Sequence, residues 1–394
     1  MEVMVETCCG IDVHQKTIVC CILDGPLETN RPKKIQRTFG TRTCELREAL
    51  AWLNTHRVTH VFMESTGQYW LPVFNIFSEA DFDIVLANPQ RIKNVPGRKT
   101  DMKDAEWIAQ LGRCGLIQNS YIPAPEVMAL RMMTRRRLSY TQKRTQAKNE
   151  LHNILQRANI KLTGYLSDIF SKSGQALLQL FIHGEVLTIE NVSDCLHGLV
   201  KATPEDILAA MDGKLGAVDR QLLEDSLDEY RFYTTKIAQL EHAIEQYISE
   251  HFPDTYALLM EIPGIKQHSA AVILGEIGPN VEAFQTVGHL SSWAGVSPGS
   301  NESAGKSSHS RTTRGNKYLR IALLTSGGTA GRSRDAAFSA LYHRMVARGS
   351  KMKAVVACGH KLLRIIYKIL SERVHYDTKK ALGLRQQPKS ILTI

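Results

Sequence analysis

Eight cysteines occur in these 394 residues, yet no two of them form a CxxC pair. That removes the usual spacings of zinc ribbons and dithiol redox sites. Cys8, Cys9, Cys20 and Cys21 fall in apolar, strand-like runs, so the thiols read as reduced core residues of a cytosolic protein, not ligands or disulfides. No apolar run approaches about 20 residues, and no charged-apolar-cleavage segment stands at the N-terminus. The expectation is a chain that neither spans a membrane nor is secreted. Acids are scarce over two long stretches. Residues 126–161 hold nine Lys or Arg against two Glu, and Lys306–Lys368 hold fourteen against Asp335 alone. The net charge is +10 and the pI about 9.1. Such a balance favours an anionic partner, usually nucleic acid, although charge alone is a weak pointer. Hydrophobic residues at 43% and charged residues at 22% describe a globular chain, long enough for two or three domains.

The acids that are present stand in unusual places. Asp12 lies inside the apolar run CCGIDVHQ, Glu64 ends VTHVFMESTG, and Asp101 and Asp104 open GRKTDMKDAEWIAQL. Carboxylates at the ends of buried strands need compensation. Gathered by a fold, they would repel one another, and a hard divalent cation such as Mg2+ would resolve the conflict while also holding phosphate oxygens. Asp101 and Asp104 share one face of a helix at their spacing of three. Taken alone, that pair reads equally as a first turn favoured by the helix dipole and capped by Thr100. Lys99 and Lys103 beside them either hold phosphate or are plain surface charges.

Periodicity predicts strands at 7–13, 17–24 and 34–39, a helix at 44–56 with Leu46, Leu50 and Leu53 on one face, a strand at 58–64, a helix at 70–80, a strand at 82–88 and a further helix. This order matches an RNase H-like (RuvC-like) α/β domain, in which acids on the first strand, fourth strand and last helix converge at one sheet edge. We expect that domain over 1–120. A helical coiled-coil middle is expected over 121–252, a mainly α C-terminal domain over 253–375 and a polar tail over 376–394. The basic helix of the middle region, with Arg135, Arg136, Arg137, Lys143 and Arg144, is read as phosphate-facing. Leu223, Tyr230, Ile237 and Ile244 form one heptad row, and Tyr233, Leu240 and Tyr247 another. This helix pairs with the basic one as an antiparallel hairpin, or across a dimer; an ordinary long core helix has the same pattern. Short helices are expected in 164–218. MEIPGIKQHSAAVILGEIG reads as a helix-hairpin-helix-like motif whose turn amides can hold phosphate.

The Ser-rich stretch 297–310 carries Ser297, Ser300, Ser303, Ser307, Ser308 and Ser310, and composition alone suggests a flexible linker. Gly295 and Pro298 before it, and Lys306, Arg311, Arg314 and Lys317 after it, speak against that. A serine held among cations is a candidate nucleophile toward a phosphodiester. His14 and His309 are either proton carriers or incidental.

The blocks GIDVHQK, MESTGQYW, NPQRIKNVPGRKTDMKDAEWIAQL, IPGIKQHSAAVILGEIG, WAGVSPGSNESAGKSS and RGNKYLR resemble the DEDD transposases of the insertion sequence one-ten family, relatives of the Piv DNA invertase that act as bridge-RNA-guided recombinases. The likeness runs from about Gly10 to Lys368. It implies that the four family acids fall on Asp12, Glu64, Asp101 and Asp104, binding Mg2+. The family serine normally precedes a Gly, a few residues past a Gly-x-x-Pro turn. That implies Ser303, although Ala304 follows here and Gly comes only at Gly305, which keeps Ser300 and Ser307 as alternatives. Lys99, Lys306, Arg311, Arg314, Lys317 and Arg320 join the basic helix as nucleic-acid contacts.

The implied activity is cutting and rejoining of DNA through a phosphoserine intermediate, on donor and target DNA, with a structured noncoding guide RNA. A homodimer or homotetramer is expected, on the nucleoid in the cytoplasm of a bacterial or archaeal cell. The alternative is a Holliday-junction resolvase or structure-specific nuclease that hydrolyses with the acids alone. A third reading, a non-catalytic basic coiled-coil protein, requires the acids to be dispensable.

Overall fold

The computed structural model describes residues 2–28, 31–65, 67–87, 104–117, 119–198, 200–299, 302–303, 306–307, 312 and 314–383. They fall into two compact units, Met1–Ile122 and Pro123–Ile394.

The first unit is built on β1 (Thr7–Val13), β2 (Thr17–Asp24), β3 (Lys33–Gly40), α1 (Thr43–Thr55), β4 (His60–Glu64), α2 (Trp70–Phe77), β5 (Asp83–Ala87) and α3 (Asp104–Arg113). The sheet order is β3-β2-β1-β4-β5. The first three strands form an antiparallel meander, while β4 and β5 run parallel to β1. The arrangement agrees with an RNase H-like N-terminal domain.

Period-two alternation sorts the two faces. Cys9, Ile11, Val13, Ile18, Cys20, Ile22, Val61 and Met63 pack with Leu46, Leu53, Val73 and Phe77 of α1 and α2. Cys8, Cys21, Leu23 and Phe62 face the other way and pack with Ala105, Ile108, Ala109 and Leu111 of α3. Arg113 at the end of α3 is buried. Its guanidinium donates to the carbonyls of Val5 at 3.1 Å, Gly25 at 2.7 Å and Pro26 at 2.9 Å, which pins the helix to the loops at the sheet's far edge.

The second unit is almost wholly helical. Its elements are α4 (Pro125–Arg157), α5 (Lys172–His183), α6 (Ile189–Asp194), α7 (Pro204–Ala210), α8 (Ala217–His251), α9 (Pro253–Met260), α10 (Gln267–Ile277) and α11 (Val287–Trp293). These are followed by a small hairpin of β6 (Glu302–Ser303) and β7 (Lys306–Ser307), then α12 (Lys317–Gly331), α13 (Ala336–Ala347), α14 (Lys351–Glu372) and α15 (Thr378–Gly383).

Helices α4 and α8 pair antiparallel within the chain. The Tyr247 hydroxyl donates to the Glu126 carbonyl at one end, Arg137 pairs with Glu241 further along, and Arg157 reaches Asp219 at 3.2 Å at the other end. Leu223, Ile237 and Ile244 of the expected heptad row are buried within the one chain, where α8 packs along α4. The short helices of 164–218 cap the far end of the hairpin. Leu177, Leu178, Phe181, Val192, Ile207 and Met211 share one core with Leu151, Ile154, Leu223 and Leu227.

The regions expected as middle and C-terminal domains belong to one unit. Helix α10 is buried along nearly its whole length, packed against α4 and α12. The turn between α9 and α10 is the expected Pro-Gly turn. Gly264 there has φ +85°, and a Cβ on it would meet the Ser326 carbonyl and the Ala330 amide of α12.

Candidate catalytic carboxylates and the serine hairpin

The position of the acids follows from the strand pattern. Cys8 faces α3, so Gly10 and Asp12 do too; Phe62 faces α3, so Glu64 does as well. The ladder between β1 and β4 pairs Ile11 with Met63, and Asp12 and Glu64 come next on each strand. Helix α3 begins at Asp104 and sits directly on β1, because Gly10 offers no side chain. A Cβ there would collide with the Ala105 carbonyl and the Ala109 amide. Three of the sequence-expected acids are thus carried on one side of the sheet.

Their electrostatics show the proximity. Burial pushes the Asp12 carboxyl above its ordinary value, and the negative charges of Asp104 and Glu64 push it the same way, while His14 pulls it down. The Asp12 side chain keeps 25% exposure, and His14 Nε2 lies 3.1 Å from its Oδ2. His14, one of two histidines that the sequence left open as proton carrier or bystander, therefore stands beside the first acid. Among the described residues no three His, Cys, Asp or Glu side chains lie close enough to ligate one ion. Asp101 and Lys99 lie outside the described residues. The chemistry of the three described acids, all carboxylates that raise one another's charge cost, is of the kind a hard divalent cation relieves.

The described residues of the serine stretch include two short paired strands. Ser303 pairs with Lys306 in the backbone register, Glu302 pairs with Ser307, and an isolated bridge between Pro298 and Thr312 closes the base. Arg320 ties the two sides of that base together by donating to the Gly295 carbonyl and, at 2.8 Å, to Thr312 Oγ1. Asn316 caps α12 through the Tyr318 and Leu319 amides and donates to Glu276 at 2.6 Å. Ser300 and Arg311 lie outside the described residues, while Arg314 and Lys317 are exposed.

Glu276 was not singled out from the sequence. It is fully buried, and Arg135 grips it with two hydrogen bonds, at 2.8 and 2.9 Å. Arg131 lies 3.5 Å away and donates to the Gly275 and Glu276 carbonyls. Arg135, expected to contact phosphate, is thus committed to a carboxylate inside the protein. Arg137 is committed to Glu241 on α8. Arg136 and Lys143 are exposed, and Arg144 is half-buried. The lone acid in SAAVILGEIG was the available signal, by the same reasoning that singled out Asp12.

Two family models match this chain. One, for the DEDD transposases of the IS110 type, spans residues 9–160; the other, described as the transposase IS116/IS110/IS902 family, spans residues 256–343. The pilin gene-inverting protein of Moraxella bovis is 25% identical over 391 residues, covering 95% of this chain and 99% of that protein. Its counterpart from Moraxella lacunata matches to the same extent. An IS110 insertion-element protein of Streptomyces coelicolor is 28% identical over 130 residues, covering 32% of this chain and 31% of its own. Together with the α/β unit and its acid edge, these likenesses define a DNA transposase or recombinase. The chain belongs to the IS110 family of DEDD transposases. No helix among its described residues is long and apolar enough to cross a membrane.

Proposed function

We propose that the chain cuts and rejoins DNA by serine chemistry that depends on an acid-held Mg2+, with a RuvC-like first unit. Asp12, Glu64 and Asp104, joined by Asp101, would hold the ion; bound there, it would supply charge stabilisation to the phosphoryl oxygens and the leaving oxygen. The observation that carries this is the placement of Asp12, Glu64 and Asp104 on one side of the sheet, where burial and then the charges of Asp104 and Glu64 push the Asp12 carboxyl up.

Ser303 Oγ would attack phosphorus. An Oγ–P bond forms, the P–O bond to the deoxyribose breaks, and the departing oxygen leaves as a strand hydroxyl. A hydroxyl of the partner strand later reverses the step and frees the serine, so the energy of the phosphodiester is conserved. The tied base of the hairpin supports this role, because a nucleophile needs a fixed approach.

The exposed cations Arg136, Lys143, Arg314 and Lys317, with Lys99, Arg144, Lys306 and Arg311, would neutralise backbone phosphates. The turn of the helix-hairpin-helix-like pair α9–α10 would add backbone amides. The name of the Moraxella relatives, gene-inverting proteins, supports DNA rearrangement as the outcome. By family likeness, a structured noncoding RNA would choose donor and target DNA, and a dimer or tetramer would act on the bacterial or archaeal nucleoid.

The test is denaturant trapping of reactions on radiolabelled DNA. A protein–DNA adduct that maps to Ser303 and disappears in Ser303→Ala supports the reading. Hydrolysis with no adduct overturns it in favour of an acid-only nuclease.

A further inference from the structure

Helix α8 is acidic overall, with eight Asp or Glu against three Lys or Arg, yet residues 230–240 contain no acid. Helix α4 likewise has no acid between Glu126 and Glu150. The antiparallel pairing sets these two windows against each other, and Tyr140 meets Tyr233 with ring centroids 5.9 Å apart. The contacts continue on both sides. Phe232 stands edge-on to Tyr233 at 5.3 Å, Arg136 lies over Tyr140 at 4.6 Å, Lys143 over Tyr233 at 5.7 Å, and Lys236 over Phe232 at 5.7 Å. Two acids flank this window on α8: the charge of Glu241 is taken by Arg137, while Glu229, one turn before Phe232 and Tyr233, is exposed.

This is a strip of three rings interleaved with three cations. Phe232 is 53% exposed, and what sets it apart from a singly exposed apolar residue is that rings and cations adjoin it on both helices. A coiled-coil partner does not suit it: the seam between α4 and α8 is already filled by Leu223, Ile237 and Ile244, and this face is cationic. Duplex DNA presents phosphates but hides the faces of its bases. Unpaired nucleotides present both, and aromatic rings among cations match them: rings stack on bases while ammonium and guanidinium groups hold the phosphates.

The geometry points to a binding site for unpaired nucleotides on the α4–α8 hairpin, formed by Arg136, Tyr140, Lys143, Phe232, Tyr233 and Lys236. It does not rest on the serine chemistry or on the acid pocket, since both could fail and the strip would still bind.

The experiment is fluorescence anisotropy of the full chain with a 20-nucleotide oligo(dT), a 20-nucleotide oligo(U) and a 20-base-pair duplex at one fixed salt concentration. Phe232→Ala should weaken single-strand binding roughly five- to a hundredfold, the loss of about one stacked base, and duplex binding by less than about twofold. Phe232→Trp should restore it. Lys143→Gln with Lys236→Gln should flatten the salt dependence of single-strand binding. The ratio of oligo(U) to oligo(dT) affinity tells whether RNA or DNA is the ligand. Unchanged single-strand affinity in Phe232→Ala, or an equal loss for all three probes, would overturn the site. So would failure of Phe232→Trp to rescue, or a fall in sedimentation mass for Phe232→Ala, which would make the strip a contact between copies.

Discussion

Gly10 on β1 and Ala109 on α3 touch backbone to backbone: where Gly10 lacks a Cβ, the Ala109 amide nitrogen lies. That approach carries the first turn of α3, and Asp104 with it, to the side of the sheet from which Asp12 projects. Gly10→Ala should therefore lift α3. Overpacking of this kind costs about 1–3 kcal/mol, to be read from urea unfolding. Recombination should fall much further than stability, because the acids separate while each remains present. Full activity at lowered stability would show that the acids tolerate the displacement.

The burial of Asp12, with Asp104 and Glu64 nearby, makes a thermal test of the metal. The folded carboxyl titrates above its unfolded value, so the group disfavours the fold once the pH rises past that value, and most strongly near neutrality. Asp12→Asn should raise the melting temperature of the metal-free protein while abolishing recombination. Added Mg2+ should stabilise the wild type but not Asp12→Asn. Equal stabilisation of both proteins would place the ion elsewhere.

Ser303→Ala should bind DNA with unchanged affinity and form no covalent adduct. Restored activity is not expected from threonine, whose methyl group crowds the attack. An active Ser303→Ala protein would transfer the role to Ser300 or Ser307, each tested by the same trapping assay.

Glu276 is fully buried among Arg131, Arg135 and Asn316. Glu276→Ala leaves a guanidinium without its partner inside the protein and should cost about 3–5 kcal/mol. Arg135→Lys should recover little, since an ammonium cannot make the paired hydrogen bonds. Chemical denaturation of both variants checks this. A loss in Arg135→Gln confined to DNA affinity, with stability intact, would return Arg135 to the phosphate contacts.

His268 gives the acid side of the stability curve. Burial, with Arg137 nearby, pushes its imidazole down to about 4. The unfolded chain takes up the proton near the ordinary value of about 6.5, and the folded one only near 4. Stability is therefore complete above pH 6.5 and is lost as the pH falls toward 4, by at most about 3 kcal/mol. His268→Gln should show a shallower loss of urea midpoint over that range.

Much of the first unit was legible in the sequence. β1, β2 and β5 lie within a residue of their expected bounds because alternation and flanking turn residues mark them sharply. β4 begins at His60, two residues later than expected, since Val58 is buried outside the ladder. The strand-end positions of Asp12 and Glu64 were legible because an acid at the end of an apolar run stands out. Three things were not. Heptads reveal that a seam exists but not which helix fills it, and here α4 does. Arg135 looks like its neighbour Arg136 in sequence, and what separates them is a partner 141 residues away. Gly10 is silent because its role is to be small against a helix that arrives long after it in the chain.

The head formed by 164–218 joins the hairpin where Arg157 and Asp219 stand in contact, so the chain leaves and returns at nearly one point. The head is nonetheless no appendage, because its side chains complete the core that closes this end of α4 and α8. At 1.5 Å per residue, the 33 residues of α4 span about 50 Å, the length of some fifteen base pairs. The length of the hairpin is thus set by α4 and α8 themselves, and the head adds its mass at one end only.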